Sequence, residues 1–151
     1  FEKCKYISQE EHEQINKRCN PEDGDILICR IGTLGRVTII DTKKPFSIFV
    51  SLGLLKLPKT VQIKDYLHVV LSSPFLKFQF NEIKVGGIHT DKLNLGDIPK
   101  LSIPLPPLEE QKRIINKLNS LLAICDKLEV VLNKNNEKKI QISNTLTSII
   151  F

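Results

Sequence analysis

Arg30 and Arg36 flank the bend Gly32-Thr33-Leu34-Gly35. Further basic or polar side chains gather in two other turns. Lys43 and Lys44 precede Pro45, while Lys84, His89, Thr90 and Lys92 surround Gly86-Gly87. A guanidinium is a planar fork of donors that pairs two at a time with carboxylates, phosphates or guanine edges, whereas lysine offers a point charge. In loops, these groups recognise anions; they do not break bonds. Each taken singly is an ordinary solvated side chain, but together they suit an anionic partner. The formal net charge of +5 and the pI near 9.0 agree, and nucleic acid is the usual anion for such a balance. No block of five or more like charges occurs, so any positive surface must be assembled by the fold.

Bond-making chemistry finds no constellation. Gly32-Thr33-Leu34-Gly35 lacks the Gly-Lys-Ser/Thr that completes a phosphate loop. Neither a nucleophile elbow nor a methyl-donor glycine loop is present. Glu22, Asp23 and Asp25 suggest a nuclease carboxylate cluster, but no Glu-x-Lys follows, and a solvated turn is the expectation. Cys4, Cys19, Cys29 and Cys125 form no CxxC pair and have no histidine at zinc spacing. His12, His68 and His89 are scattered. We therefore expect no catalytic residues, metal or cofactor. The cysteines read as free thiols of a reducing cytoplasm. No run of 18 apolar residues exists to cross a membrane, and the charged start, without an initiating Met, reads as a fragment or processed chain rather than a signal peptide.

These loops need elements to hold them. Ser8 with Glu11 makes a capping box, predicting a helix to about Arg18. Asp25 to Ile31 and Arg36 to Ile40 are apolar and β-branched, predicting two strands joined by the glycine bend. Phe46 to Val50 and Ser51 to Leu57 read as further strands. Ile63, Tyr66, Leu67, Val70 and Leu71 recur at helical spacing. Ser73-Pro74 then starts a second helix, with Ser as N-cap and Pro at the first helical position. Phe75, Leu76, Gln79, Phe80 and Ile83 continue it, and its aromatics are expected in the core rather than stacked on bases. Residues 88–94 read as irregular, Lys100 to Ile103 as a short strand, and Pro104-Leu105-Pro106-Pro107 as a break.

Residues 108–151 contain neither Gly nor Pro. Ile114, Leu118, Leu121, Cys125, Leu128, Leu132, Asn135, Lys139, Ile142, Leu146 and Ile149 alternate four and three apart, and nine of these eleven are apolar. That is a coiled-coil seam. Unbroken, such a helix reaches roughly 65 Å at 1.5 Å per residue and cannot bury its own stripe. The polar run Asn133 to Lys139 leaves two possibilities: one helix with a register device, or a hairpin of two.

Several segments, in order, resemble the specificity subunits of type I restriction-modification systems. These are GDILICRIGTLGRVTIID (24–41), SIFVSLGLLKL (47–57), YLHVVLSSPF (66–75) and, most strongly, GGIHTDKLNLGDIPKLSIPLPPLEEQKRIINKL (86–118). The resemblance runs from about Tyr6 onward. It implies an α+β chain: a small mixed target-recognition domain with a twisted sheet and flanking helices over 1–105, its beginning missing, then a helical arm over 106–151. The PPLEEQ segment reads physically as a stiff hinge. Pro107 sits at the first helical turn, and Glu109 and Glu110 lie at the positive end of the helix dipole.

The resemblance further implies a non-catalytic cytoplasmic protein that reads one half of a split DNA target. The candidate DNA contacts are then Arg30, Thr33, Arg36, Lys43, Lys44, Lys84, His89, Thr90 and Lys92. Helix pairing falls to Ile114, Leu118, Leu121, Cys125, Leu128, Leu132, Ile142, Leu146 and Ile149. The implied partners are double-stranded DNA, the modification (methyltransferase) subunits, the restriction subunit through the complex, and a second recognition domain or a second copy through the arm. A fragment and a self-pairing half-subunit remain open. So does a coiled-coil adaptor that never touches nucleic acid.

Overall fold

The computed structural model describes residues 4–58, 63–86 and 91–150, with side chains as far as 142. The chain divides after Gln111 into two compact units.

Helix α1 (Gln9–Asn16) opens the first unit, and Ser8 Oγ accepts the Glu11 amide at 3.2 Å as its N-cap. It stops short of Arg18 because Arg18 and Cys19 both turn back onto the Ile15 carbonyl. Strand β1 (Ile26–Cys29) is the centre of a three-stranded antiparallel sheet, between β2 (Val37–Ile39) and β3 (Leu52–Leu55). Ile26 and Ile28 alternate into the core and are fully buried, as period-two patterning requires. Helix α2 (Lys64–Leu71) packs on β2 and on α3 (Pro74–Ile83), contributing Tyr66, Leu67, Val70 and Leu71 to the interior. Leu76 and Phe80 enter from α3. Each such side chain stabilises the fold by about 1.5–3 kcal/mol through removal from water. Ser73 caps α3 through the Leu76 amide at 3.3 Å, with Pro74 following, as expected.

Five expectations need correction. Within the stretch read as irregular, Asp91–Lys92 forms a short strand paired with Val85–Gly86. Phe46 to Val50 forms no strand; as shown below, the carbonyl of Val50 is taken by a side chain instead. Lys100 to Ile103 is not a strand either. Ile98–Lys100 is a 3-10 turn, and the following chain is held by side chains. Gln79 exchanges two hydrogen bonds with the main chain of Ser102, at 2.8 and 3.0 Å, and Tyr66 Oη donates to the Pro104 carbonyl at 2.9 Å. Phe75 lies on the solvent face of α3 beside Phe78; neither belongs to the core. Asp25, finally, is not in a solvated turn. It is 4% exposed, and it accepts the amides of Glu22 and Leu57 at 2.9 and 3.3 Å and the Lys56 ammonium at 3.0 Å.

Beyond the 3-10 turn, Gln111 is buried and donates to the Pro106 carbonyl at 2.8 Å. The glutamine of PPLEEQ thus folds back on the prolines that precede it. Helix α4 (Leu108–Ile150) is a single element that continues through Asn133 to Lys139, which removes the hairpin alternative. Along it Ile114 and Leu118 are half-buried, whereas Leu121, Cys125, Leu128, Leu132 and Ile142 are exposed. The Leu146 and Ile149 positions fall within the helix, but their side chains lie outside the described residues. No helix among the described residues is long and apolar enough to cross a membrane.

Candidate nucleic-acid interface

The C-terminal end of β1 is where loops converge, and Arg30 is the reason. Its main-chain amide donates to the Ser51 carbonyl at 2.8 Å, and its carbonyl accepts the Leu93 amide at 2.8 Å. Its guanidinium then reaches further. Nε and Nη2 donate to the Val50 carbonyl at 3.2 and 2.7 Å, and Nη1 donates to the Leu93 carbonyl at 3.3 Å. One residue therefore ties the turn before β3 and the chain after the second hairpin to the central strand. Gly53 makes room for it. A Cβ there would lie 3.0 Å from Ile28 Cγ2 and 3.3 Å from both Arg30 Cδ and Leu95 Cδ2.

The glycine bend is built as its sequence demands. Gly32 and Gly35 have φ of +88° and +71°, in the left-handed region that other residues enter at a cost. Gly35 donates to the Cys29 carbonyl at 3.0 Å, and Cys29 donates to that of Arg36 at 2.8 Å, closing the β1–β2 connection. Gly35 also faces the Phe80 ring, which a Cβ would meet at 2.5 Å. The core helix α3 thus fixes the loop's position. Thr33 and Arg36 are left exposed, and among the described residues the Arg36 guanidinium has no partner.

The second hairpin, β4 (Val85–Gly86) and β5 (Asp91–Lys92), pairs Val85 with Lys92 and Gly86 with Asp91. It joins the same end through a bridge between Ile31 and Lys92. Lys84 is partly neutralised by Asp91, at 2.7 Å. Lys92 is exposed and has no side-chain partner among the described residues. His89 and Thr90 lie outside the described residues.

Five of the nine expected contacts are thus brought to one end of the sheet: Arg30, Thr33, Arg36, Lys84 and Lys92. Lys43 and Lys44 lie on the connection from β2 to β3, which starts at the opposite end of β1, where Ile40 pairs with Asp25, and returns to Ser51 beside Arg30. Arg30 has a task that sequence reasoning missed. Three of its five N–H donors go to main-chain carbonyls, whereas the Arg36 guanidinium has no partner among the described residues. Phe49 and Val50 were also missed. They sit exposed in the turn that Arg30 holds, and their apolar, strand-like composition masked that position.

Comparison with known proteins fits this geometry. A family model described as the type I restriction modification DNA specificity domain matches residues 4–141. The specificity subunit of the type I restriction enzyme EcoBI from Escherichia coli is 27% identical over 117 residues, 78% of this chain and 24% of that protein. A protein of Haemophilus influenzae, provisionally named type I restriction enzyme specificity subunit S.HindORF215P, is 30% identical over 133 residues, 87% of this chain and 31% of its own length. The chain therefore spans about a quarter to a third of these relatives. Among solved structures, the S subunit of the type I restriction-modification system of M. genitalium superposes with a TM-score of 0.52 at 21% identity, covering 80% of this chain and 32% of that one. The fold is thus shared with an S subunit, and with the family model matching nearly all of its length, the chain belongs to the type I restriction-modification DNA specificity domain family.

Proposed function

We propose that this chain reads DNA sequence for a type I restriction-modification complex, through the end of the sheet organised by Arg30. The observation that carries this reading is the pair Arg36 and Lys92, exposed cations with no side-chain partner among the described residues, on main chain that is hydrogen-bonded into place. Cations carried on fixed main chain meet phosphates without their loops first having to be ordered, and the Arg36 fork can read guanine O6 and N7 in the major groove. Thr33, Lys84, His89 and Thr90 complete the proposed surface. Lys43 and Lys44, on the connection from β2 to β3, are assigned to phosphates farther along the duplex. Helix α4 has a separate task. Its exposed leucines pair with a helix of a second recognition domain or of a second copy, and through that arm the modification subunits dock and bring in the restriction subunit. Chemistry on DNA then belongs to those subunits, in the cytoplasm where the chromosome lies.

The test is a binding titration on duplex DNA. Affinity should fall steeply with salt, because each neutralised phosphate releases counterions. Arg36→Ala should weaken binding to the selected site by about 1–3 kcal/mol while leaving nonspecific binding nearly intact. A coiled-coil adaptor would show no DNA affinity at any salt concentration.

A further inference from the structure

The turn Phe49 to Leu52 is held unusually firmly for so exposed a feature. The Phe49 carbonyl accepts the Leu52 amide at 2.9 Å, that of Val50 accepts two guanidinium donors of Arg30, and that of Ser51 accepts the Arg30 amide. Three consecutive carbonyls are thus engaged. Yet the side chains at the tip are apolar and in water: Phe49 is 74% exposed and Val50 65%. Turns chosen only for their bend carry Gly, Pro, Asn, Asp or Ser. A single exposed apolar residue needs no explanation, but two adjacent ones on a fixed tip, at the same end of β1 as the exposed Arg36 and Lys92, call for one.

In the major groove the C5-methyl of thymine is the apolar feature that a base pair offers to a side chain. We propose that Phe49, with Val50 beside it, is a specificity-determining residue that packs on a thymine methyl in the target. The cations at the same end of the sheet supply the matching charge, since they would hold the backbone on which that base is carried. The Arg30 clamp makes the contact selective, because a tip that cannot move cannot adjust to a base lacking the methyl. This inference rests on the reading that the Arg30 end of the sheet faces DNA.

The experiment uses the full chain and its Phe49→Ala and Phe49→Leu variants. Each is enriched against a pool of random-sequence duplexes, and every enriched thymine is then replaced singly by deoxyuridine, which lacks only the methyl. For the unaltered chain, one replacement should cost about fourfold in affinity, the worth of one buried methyl group. Phe49→Ala should bind more weakly and be indifferent to that replacement, while Phe49→Leu should recover part of the discrimination. The proposal is overturned if no deoxyuridine replacement affects the unaltered chain, or if Phe49→Ala keeps the full penalty. It is equally overturned if Phe49→Ala changes oligomeric mass or melting temperature with base preference intact, since the tip would then pack on protein. If the unaltered chain enriches no sequence at all, the DNA-facing reading itself fails, and this contact with it.

Discussion

The two ends of strand β1 are built by opposite chemistry. At its start the carboxylate of Asp25 collects donors: the amides of Glu22 and Leu57 and the ammonium of Lys56. At its finish the guanidinium of Arg30 collects acceptors, the carbonyls of Val50 and Leu93. Both residues knit separate segments to the central strand. They differ in what is left over. The acid end is closed, with Asp25 buried and Lys56 also 3.3 Å from Glu22. The base end leaves Thr33, Arg36, Phe49 and Lys92 outside the knot and open to solvent. One end therefore closes its charged side chains on one another, and the other leaves side chains open to solvent.

Four perturbations would break or sharpen that contrast. Gly35→Ala should be the most damaging. It forces a left-handed φ on a residue with a Cβ and drives that Cβ into Phe80, for a combined loss of roughly 3–4 kcal/mol, read as a shifted urea midpoint. Asp25→Ala should cost about 2–3 kcal/mol, because it strands buried amide donors, while DNA affinity measured well below the melting temperature stays unchanged. Arg30→Ala should cost only about 1–2 kcal/mol in stability but weaken DNA binding more than that loss explains, since the turn and the second hairpin lose their common tether. Equal damage by Asp25→Ala and Arg30→Ala to both properties would erase the distinction drawn above. The smallest effect is on pH. Partial desolvation opposes the charged form of Lys56, but its bonds to Asp25 and Glu22 outweigh that and raise its pKa. A raised lysine pKa contributes stability that is complete below the ordinary lysine range and is lost as pH rises through the folded value. Melting temperature should therefore hold up to about pH 10 and decline above it. The decline should be slight, because the Lys56 side chain is half exposed and its pairs are screened by solvent.

Local rules made much of the fold legible. Ser8 and Ser73 announced their helices through caps, Ile26 and Ile28 announced a half-buried strand, and the four-three spacing after Pro107 announced α4. What escaped was structure held by side chains across distance. Residues 46–50 and 100–103 have strand-like composition, but their neighbours are the Arg30 guanidinium and the Gln79 amide rather than another strand. No periodicity encodes a partner twenty or more residues away. The same blindness made Asp25 look like one of three solvated acids. The basic loops were identifiable as loops, whereas the gathering of Arg30, Arg36 and Lys92 at one end of the sheet follows from strand register, which the sequence alone does not disclose.

The clamp at Arg30 is indifferent to identity. Every group its guanidinium grips is a peptide carbonyl, and all twenty amino acids carry one. Position 50, and the exposed neighbours at 49 and 92, are therefore at liberty to change their side chains while the loops stay where they are. A lineage pressed to address new targets has in this arrangement a frame that survives rewriting of its own surface.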